Sequence, residues 1–108
     1  SRAMAMILTA RTVSAAEGRE LGFVAEVVPP ADVMARARAL AAAMCELSPL
    51  SLRASKQAVL KGLEEASLRA AYEGQGRYPA VQALFHSEDL KEGPLAFAQK
   101  RKPQWQGR

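Results

Sequence analysis

The sequence is poor in the residues that most chemistry needs. One cysteine, Cys45, excludes an internal disulfide, and one histidine, His86, cannot form a histidine-based metal cluster. Aromatics make up only 6% of the 108 residues. No apolar run approaches the 18 or so residues that span a bilayer, and no charged-then-apolar leader pattern opens the chain. A phosphate-cradling glycine loop, an internal repeat and a low-complexity linker are missing too. These absences predict a cytoplasmic chain with no membrane partner, no metal and no catalytic constellation of its own.

Alanine and cations are what the chain does have. Of the hydrophobic class, 49% of the sequence, 22 residues are alanine, which favours helix but buries little area per side chain. A thin core follows, one that needs another surface to lie on. The net charge of +4 is concentrated at the end: residues 1–90 are balanced, whereas 91–108 carry Lys91, Lys100, Arg101, Lys102 and Arg108 against Glu92 alone. Such an excess attracts anions over roughly 10 Å at 0.1 M salt.

Punctuation along the chain predicts a mainly α fold of one domain, 1–108. A helix opens the sequence as if entered midway, the sign of a fragment. Ser14 to Glu17 has the form of a capping box, and Gly22 ends that helix. Residues 23–29 read as one isolated strand or none. Val33, Ala37, Leu40, Met44 and Leu47 share one helical face. Ser48-Pro49 starts a further helix with Leu52, Val59, Leu60 and Leu63 as its buried stripe, closed near Gly62. The next helix, about 64–85, is weakened by Gly74, Gly76 and Pro79 and expected to kink or break near Tyr78, with Leu68, Tyr72, Val81, Leu84 and Phe85 expected inward. Ser87 caps a short turn, and Gly93-Pro94 opens the last helix.

Titratable residues give little. His86 reads as a structural residue at a helix end, Glu64-Glu65 and Glu88-Asp89 as solvated pairs, and Cys45 as a buried, inert thiol. Only "FAQKRK" stands out. Phe97 lies three and four positions before Lys100 and Arg101, so on a helix ring and cations share a side, suited to stacking on a base while the cations meet phosphate. The competing explanation makes Phe97 a core anchor and the cations a solvated helix end.

Taken in order, "MILTARTVSAAEGRELGFVAEVVP", "SPLSLRASKQAVLKG" and "SEDLKEGPLAFAQKRKPQWQGR" resemble the crotonase, or enoyl-CoA hydratase/isomerase, superfamily. Residues 78–105 look closest to its carnitinyl-CoA dehydratase branch. The resemblance implies a helical C-terminal, trimerisation segment of the crotonase fold, with the ββα spiral core absent upstream. It implies an acyl-CoA thioester substrate processed through a stabilised enolate, coenzyme A as part of that substrate, and no covalently bound cofactor. Assembly as a homo-oligomer, a trimer or dimer of trimers, goes with it. Phe97 and Lys100 would meet adenine and phosphate, with Arg101 and Lys102 as helpers. No catalytic residue maps onto this chain, which alone should lack activity. Where family members often carry glycine in the Thr-x-Arg turn, this chain has Ala10, implying a less strained turn. Two alternatives stand beside this: a basic helical module for nucleic acid or anionic surfaces, and a purely structural trimerisation segment.

Overall fold

A computed structural model describes residues 2–108. The chain divides into two compact units, one ending at Ala37 and the other running from Arg38 to Arg108. Seven α-helices and two 3-10 turns are formed among the described residues. No strand is present there, so residues 23–29 take the second of the two expectations. None of these helices is long and apolar enough to cross a membrane.

In the first unit α1 spans Arg2–Thr9 and α2 spans Ala15–Leu21. Ser14 Oγ accepts the Glu17 N–H at 3.1 Å, but the capping box is only half made. Glu17 does not turn back; its carboxylate accepts from Arg11 at 2.7 Å, which lowers its pKa and raises that of Arg11. Ala10, expected to relax its turn, instead keeps φ at 48°, so the left-handed geometry persists with the Cβ present. Gly22 ends α2 in a Schellman turn: its N–H bonds to the Arg19 carbonyl at 3.1 Å and the Phe23 N–H to that of Gly18 at 3.2 Å. Phe23 folds over Gly18 so closely that a Cβ there would sit 3.1 Å from the ring and 2.8 Å from Val24.

Helix α3, Val33–Cys45, contains the boundary between the units, and α4 (Pro49–Gly62), α5 (Leu68–Gly74), α6 (Pro79–Phe85) and α7 (Glu88–Ala98) follow. The helix expected over 64–85 starts only at Leu68 and breaks before Pro79, close to Tyr78, the expected point of a kink or break. Ser67 caps α5 through the Ala70 N–H, and Pro79, lacking an N–H, starts α6 afresh after a 3-10 turn at Gln75–Arg77. Conversely, Pro94 does not open a helix but lies inside α7, which starts at Ser87, whose hydroxyl accepts the Leu90 N–H.

The core is as thin as the alanine content implies. Leu50, Ala54, Val81 and Ala96 are the buried apolar residues among those described. The stripe expected on α4 is displaced by part of a turn: Leu50 and Ala54 are the buried residues of a helix packed mainly on α6, while Val59, Leu60 and Leu63 are exposed. Leu68, Tyr72 and Phe85, expected inward, are exposed too, and Val81 alone of that set is buried. The cause is that i, i+3, i+4 spacing marks an apolar face without saying which neighbour covers it.

Candidate functional site

The distinctive construction of the second unit is the passage from α7 into residues 99–108. Along α7, Asp89, Glu92, Gly93 and Ala96 fall at i, i+3, i+4 and i+7, one stripe, and the chain's end doubles back over it. Glu92 accepts the Arg101 guanidinium through both oxygens, at 2.5 and 2.8 Å, and the Gln104 N–H at 2.6 Å. Asp89 accepts the N–H groups of Gln106 at 2.7 Å and Gly107 at 3.2 Å, and the Ser48 hydroxyl at 2.8 Å. The Trp105 ring rests against Gly93, and its indole N–H donates to the Glu46 carbonyl at 2.9 Å. Finally, the Glu88 N–H meets the Arg108 carbonyl at 2.9 Å. Residues 101–108 therefore form a strap held antiparallel to α7 by two carboxylates.

Both carboxylates are built to stay charged. Arg101 first, then the Gln104 N–H, hold Glu92 down at about 2 against a desolvation that pushes it up. For Asp89 burial is the largest influence and pushes upward, yet the Gln106 N–H, the Ser48 hydroxyl and the Gly107 N–H together leave it below its ordinary value. Asp89 is thus a buried clamp and not part of a solvated pair, correcting the expectation for Glu88-Asp89.

The helix of α7 ends where the cations begin. Lys100 has φ 53°, left-handed, and the turn is again a Schellman turn: Lys100 N–H to Phe97 carbonyl at 3.1 Å, Arg101 N–H to Ala96 carbonyl at 3.0 Å. Helical i, i+4 geometry therefore fails for Phe97 and Arg101, and the structure separates the four expected site residues. Phe97 is 87% exposed and so anchors nothing among the described residues. The Lys100 ammonium makes no hydrogen bond or ion pair among the described residues. Arg101 is committed to Glu92, and Lys102 stands 3.8 Å from the Glu46 carboxylate. Phe97 and Lys100 are left as one open ring and one open cation at the same corner.

Elsewhere chemistry is sparse. His86 Nδ1 sits 2.8 Å from the Gln82 carbonyl as the residue closing α6, the expected structural role. Cys45 is exposed, not buried, because α3 keeps no buried residue. Among the described residues no group of three or more His, Cys, Asp or Glu side chains could hold a metal. A groove of about 590 Å³ lies between α5, α6 and α4, lined by Ala54, Ser55, Tyr72, Glu73, Val81 and Phe85, and the Glu73 carboxylate in it is engaged by Arg69 at 2.8 Å.

The sequence model of the family described as "Enoyl-CoA hydratase/isomerase" matches residues 1–108. A carnitinyl-CoA dehydratase of Salmonella arizonae is 39% identical over 104 residues, covering 94% of this chain and 40% of that protein. Its counterpart in Escherichia coli K12 is 38% identical over 105 residues, again 40% of its length. Among solved structures, an enoyl-CoA hydratase of Mycobacterium tuberculosis superposes with a TM-score of 0.85 at 31% identity, over 98% of this chain and 41% of that one. One of Mycobacterium marinum gives 0.84 at 33% identity, over 98% and 41%. The chain thus spans about 40% of the length of the curated relatives it matches.

These matches correct the expected fold class in one respect. The chain is helical, as expected, but its assignment as the C-terminal, trimerisation segment is overturned: with the family match running over 1–108, the 41% matched in the solved neighbours is placed in their N-terminal half, not at their C-terminal segment. That assignment rested on the resemblance of short motifs taken in order, which identify a family without fixing a coordinate along its longer members.

Proposed function

Because the chain belongs to the enoyl-CoA hydratase/isomerase family, we propose that it is part of an enzyme acting on acyl-CoA thioesters, by reversible water addition or a related enolate step, and that Phe97 and Lys100 contact the nucleotide of coenzyme A. The observation that carries this reading is the pairing at one corner of an exposed ring and a cation with no partner among the described residues. An aromatic face takes a base by stacking, and an ammonium takes a phosphate as a point charge. Arg101 and Lys102, already engaged, act as helpers at most. The names of the relatives support a CoA thioester as substrate, and among them the dehydration of carnitinyl-CoA is one candidate reaction. A cytoplasmic setting fits a free, exposed thiol, and homo-oligomeric assembly would cover side chains such as Leu63 and Leu68.

The rival reading, a basic module for nucleic acid, is weakened by the same geometry. Of the consecutive cations 100–102, two are already facing carboxylates, so the stripe offers a phosphate backbone one open charge. The test is coenzyme A binding by the full chain and by Phe97→Ala and Lys100→Ala at low and high salt. Stacking is worth about 1–3 kcal/mol and changes little with salt. An exposed charge contact is worth roughly 0.2–1 kcal/mol and fades as salt screens it. Phe97→Ala should cost more at every salt, and the Lys100→Ala deficit should vanish at high salt. Unaltered affinity in both variants, with helicity intact, would remove the nucleotide contact. Binding of DNA in preference to coenzyme A, falling steeply with salt, would favour the rival.

A further inference from the structure

A lysine at the left-handed position of a Schellman turn is costly, because its Cβ crowds the following carbonyl, and glycine would sit there without strain. Nothing among the described residues rewards the lysine, since its ammonium has no hydrogen-bond or ion-pair partner there. Strained backbone of this kind persists where the surroundings over-determine it, and it gathers at ligand clamps. Here the surroundings are the two hydrogen bonds of the turn and the strap beyond it, and Glu92 is the side chain that ties them together. Glu92 grips Arg101, the residue after Lys100, through both oxygens and takes the Gln104 N–H as well, while Arg101 also donates to Gln99 at 2.7 Å on the other side of the turn. Residues 99, 101 and 104 are thereby fixed around Lys100, whose ammonium is left unengaged among the described residues.

Resting on the nucleotide-contact reading above, we propose that Glu92 is a positioning residue: by holding Arg101 and Gln104 it keeps Lys100 left-handed beside Phe97, presenting a preformed ring-and-ammonium corner to the phosphate of coenzyme A. Glu92 also occupies Arg101, so the phosphate meets one defined cation and not a mobile pair.

Glu92→Gln separates this role from plain electrostatics, because the two predict opposite signs. Removing an acidic group and freeing Arg101 should tighten the binding of a polyanion. Loss of a positioned Lys100 should weaken it, by about twofold to fivefold at low salt, the reach of one exposed charge contact. Coenzyme A itself is the probe, with the full chain. If Glu92 acts through Lys100, the double variant Glu92→Gln with Lys100→Ala binds no more weakly than Lys100→Ala alone, whereas a merely structural role gives losses that add. Without ligand, Glu92→Gln should also speed hydrogen exchange at the Arg101 N–H. Tighter or unchanged binding, additive losses, or unchanged Arg101 exchange would each overturn the proposal. Wild-type affinity in Phe97→Ala and Lys100→Ala would instead remove the contact itself, while weakening in those two without weakening in Glu92→Gln would remove only the positioning role.

Discussion

Two helices of this chain end in the same hydrogen-bonded turn, and they are held by opposite means. At the end of α2 the left-handed residue is glycine, and the residue after it, Phe23, packs on Gly18. That is the apolar contact that usually accompanies a Schellman turn, made within seven residues. At the end of α7 the left-handed residue is Lys100, and the residue after it, Arg101, reaches back past Ala96 to a carboxylate. The first corner is self-sufficient; the second exists because a strap and two acidic groups hold it. A turn that needs outside support can carry a side chain that folding alone would not choose.

The largest way to break this comparison is to cut the strap at its buried end. Asp89→Ala leaves the Ser48 hydroxyl and the Gln106 and Gly107 N–H groups without their acceptor. Unsatisfied buried donors cost ~1–3 kcal/mol each, so a loss of about 2–4 kcal/mol in urea unfolding is expected, and one below ~1 kcal/mol would show that the strap contributes nothing.

Exchanging the corner residues should sharpen the contrast at smaller scale. Gly22→Ala puts a Cβ at φ 90° with no outside clamp and should cost about 1–2 kcal/mol. Lys100→Gly should do the reverse, stabilising by under ~1 kcal/mol once glycine's extra unfolded-state freedom is subtracted, while coenzyme A binding weakens. A destabilised Lys100→Gly would mean that the lysine serves the fold.

Smallest is the local loosening of the strap by acid. Glu92 titrates at about 2 in place of 4.5, so its contribution is complete above pH 4.5 and is lost as pH falls toward 2. Trp105, the sole tryptophan, reports on the strap. Its fluorescence should shift between pH 4.5 and 2, and Glu92→Gln should remove the part due to Glu92, leaving only the loosening at Asp89, whose pKa also lies below its ordinary value. A midpoint above pH 4.5 would contradict the assignment.

Local grammar was the legible part of the sequence. Ser14, Gly22, Ser48-Pro49 and Ser87 mark helix ends by chemistry that acts within three or four residues, and each does so in the structure. Burial was less legible, since Leu68 and Tyr72 have the right period yet face outward. Phe97 and Lys100 were readable as a pair, but Arg101 and Lys102 were not separable from Lys100, because their partners Glu92 and Glu46 lie 9 and 56 residues away. The strap had a signal that was overlooked: two acids and two small residues at 89, 92, 93 and 96, a stripe too polar for a core and too regular for a solvated face.

Ser48 gives the strap a place in time as well as in space. Its oxygen caps α4 by accepting the Ser51 N–H and, in the same position, donates to Asp89, 41 residues away. The cap can form as soon as α4 does, whereas the bond to Asp89, like that of Trp105 to Glu46 across 59 residues, waits for a long loop to close. Helices should therefore assemble first and the strap dock last, with folding-transition φ-values near zero at Asp89 and Trp105. The Lys100 corner would then be among the final features of the chain to take shape and among the first to open.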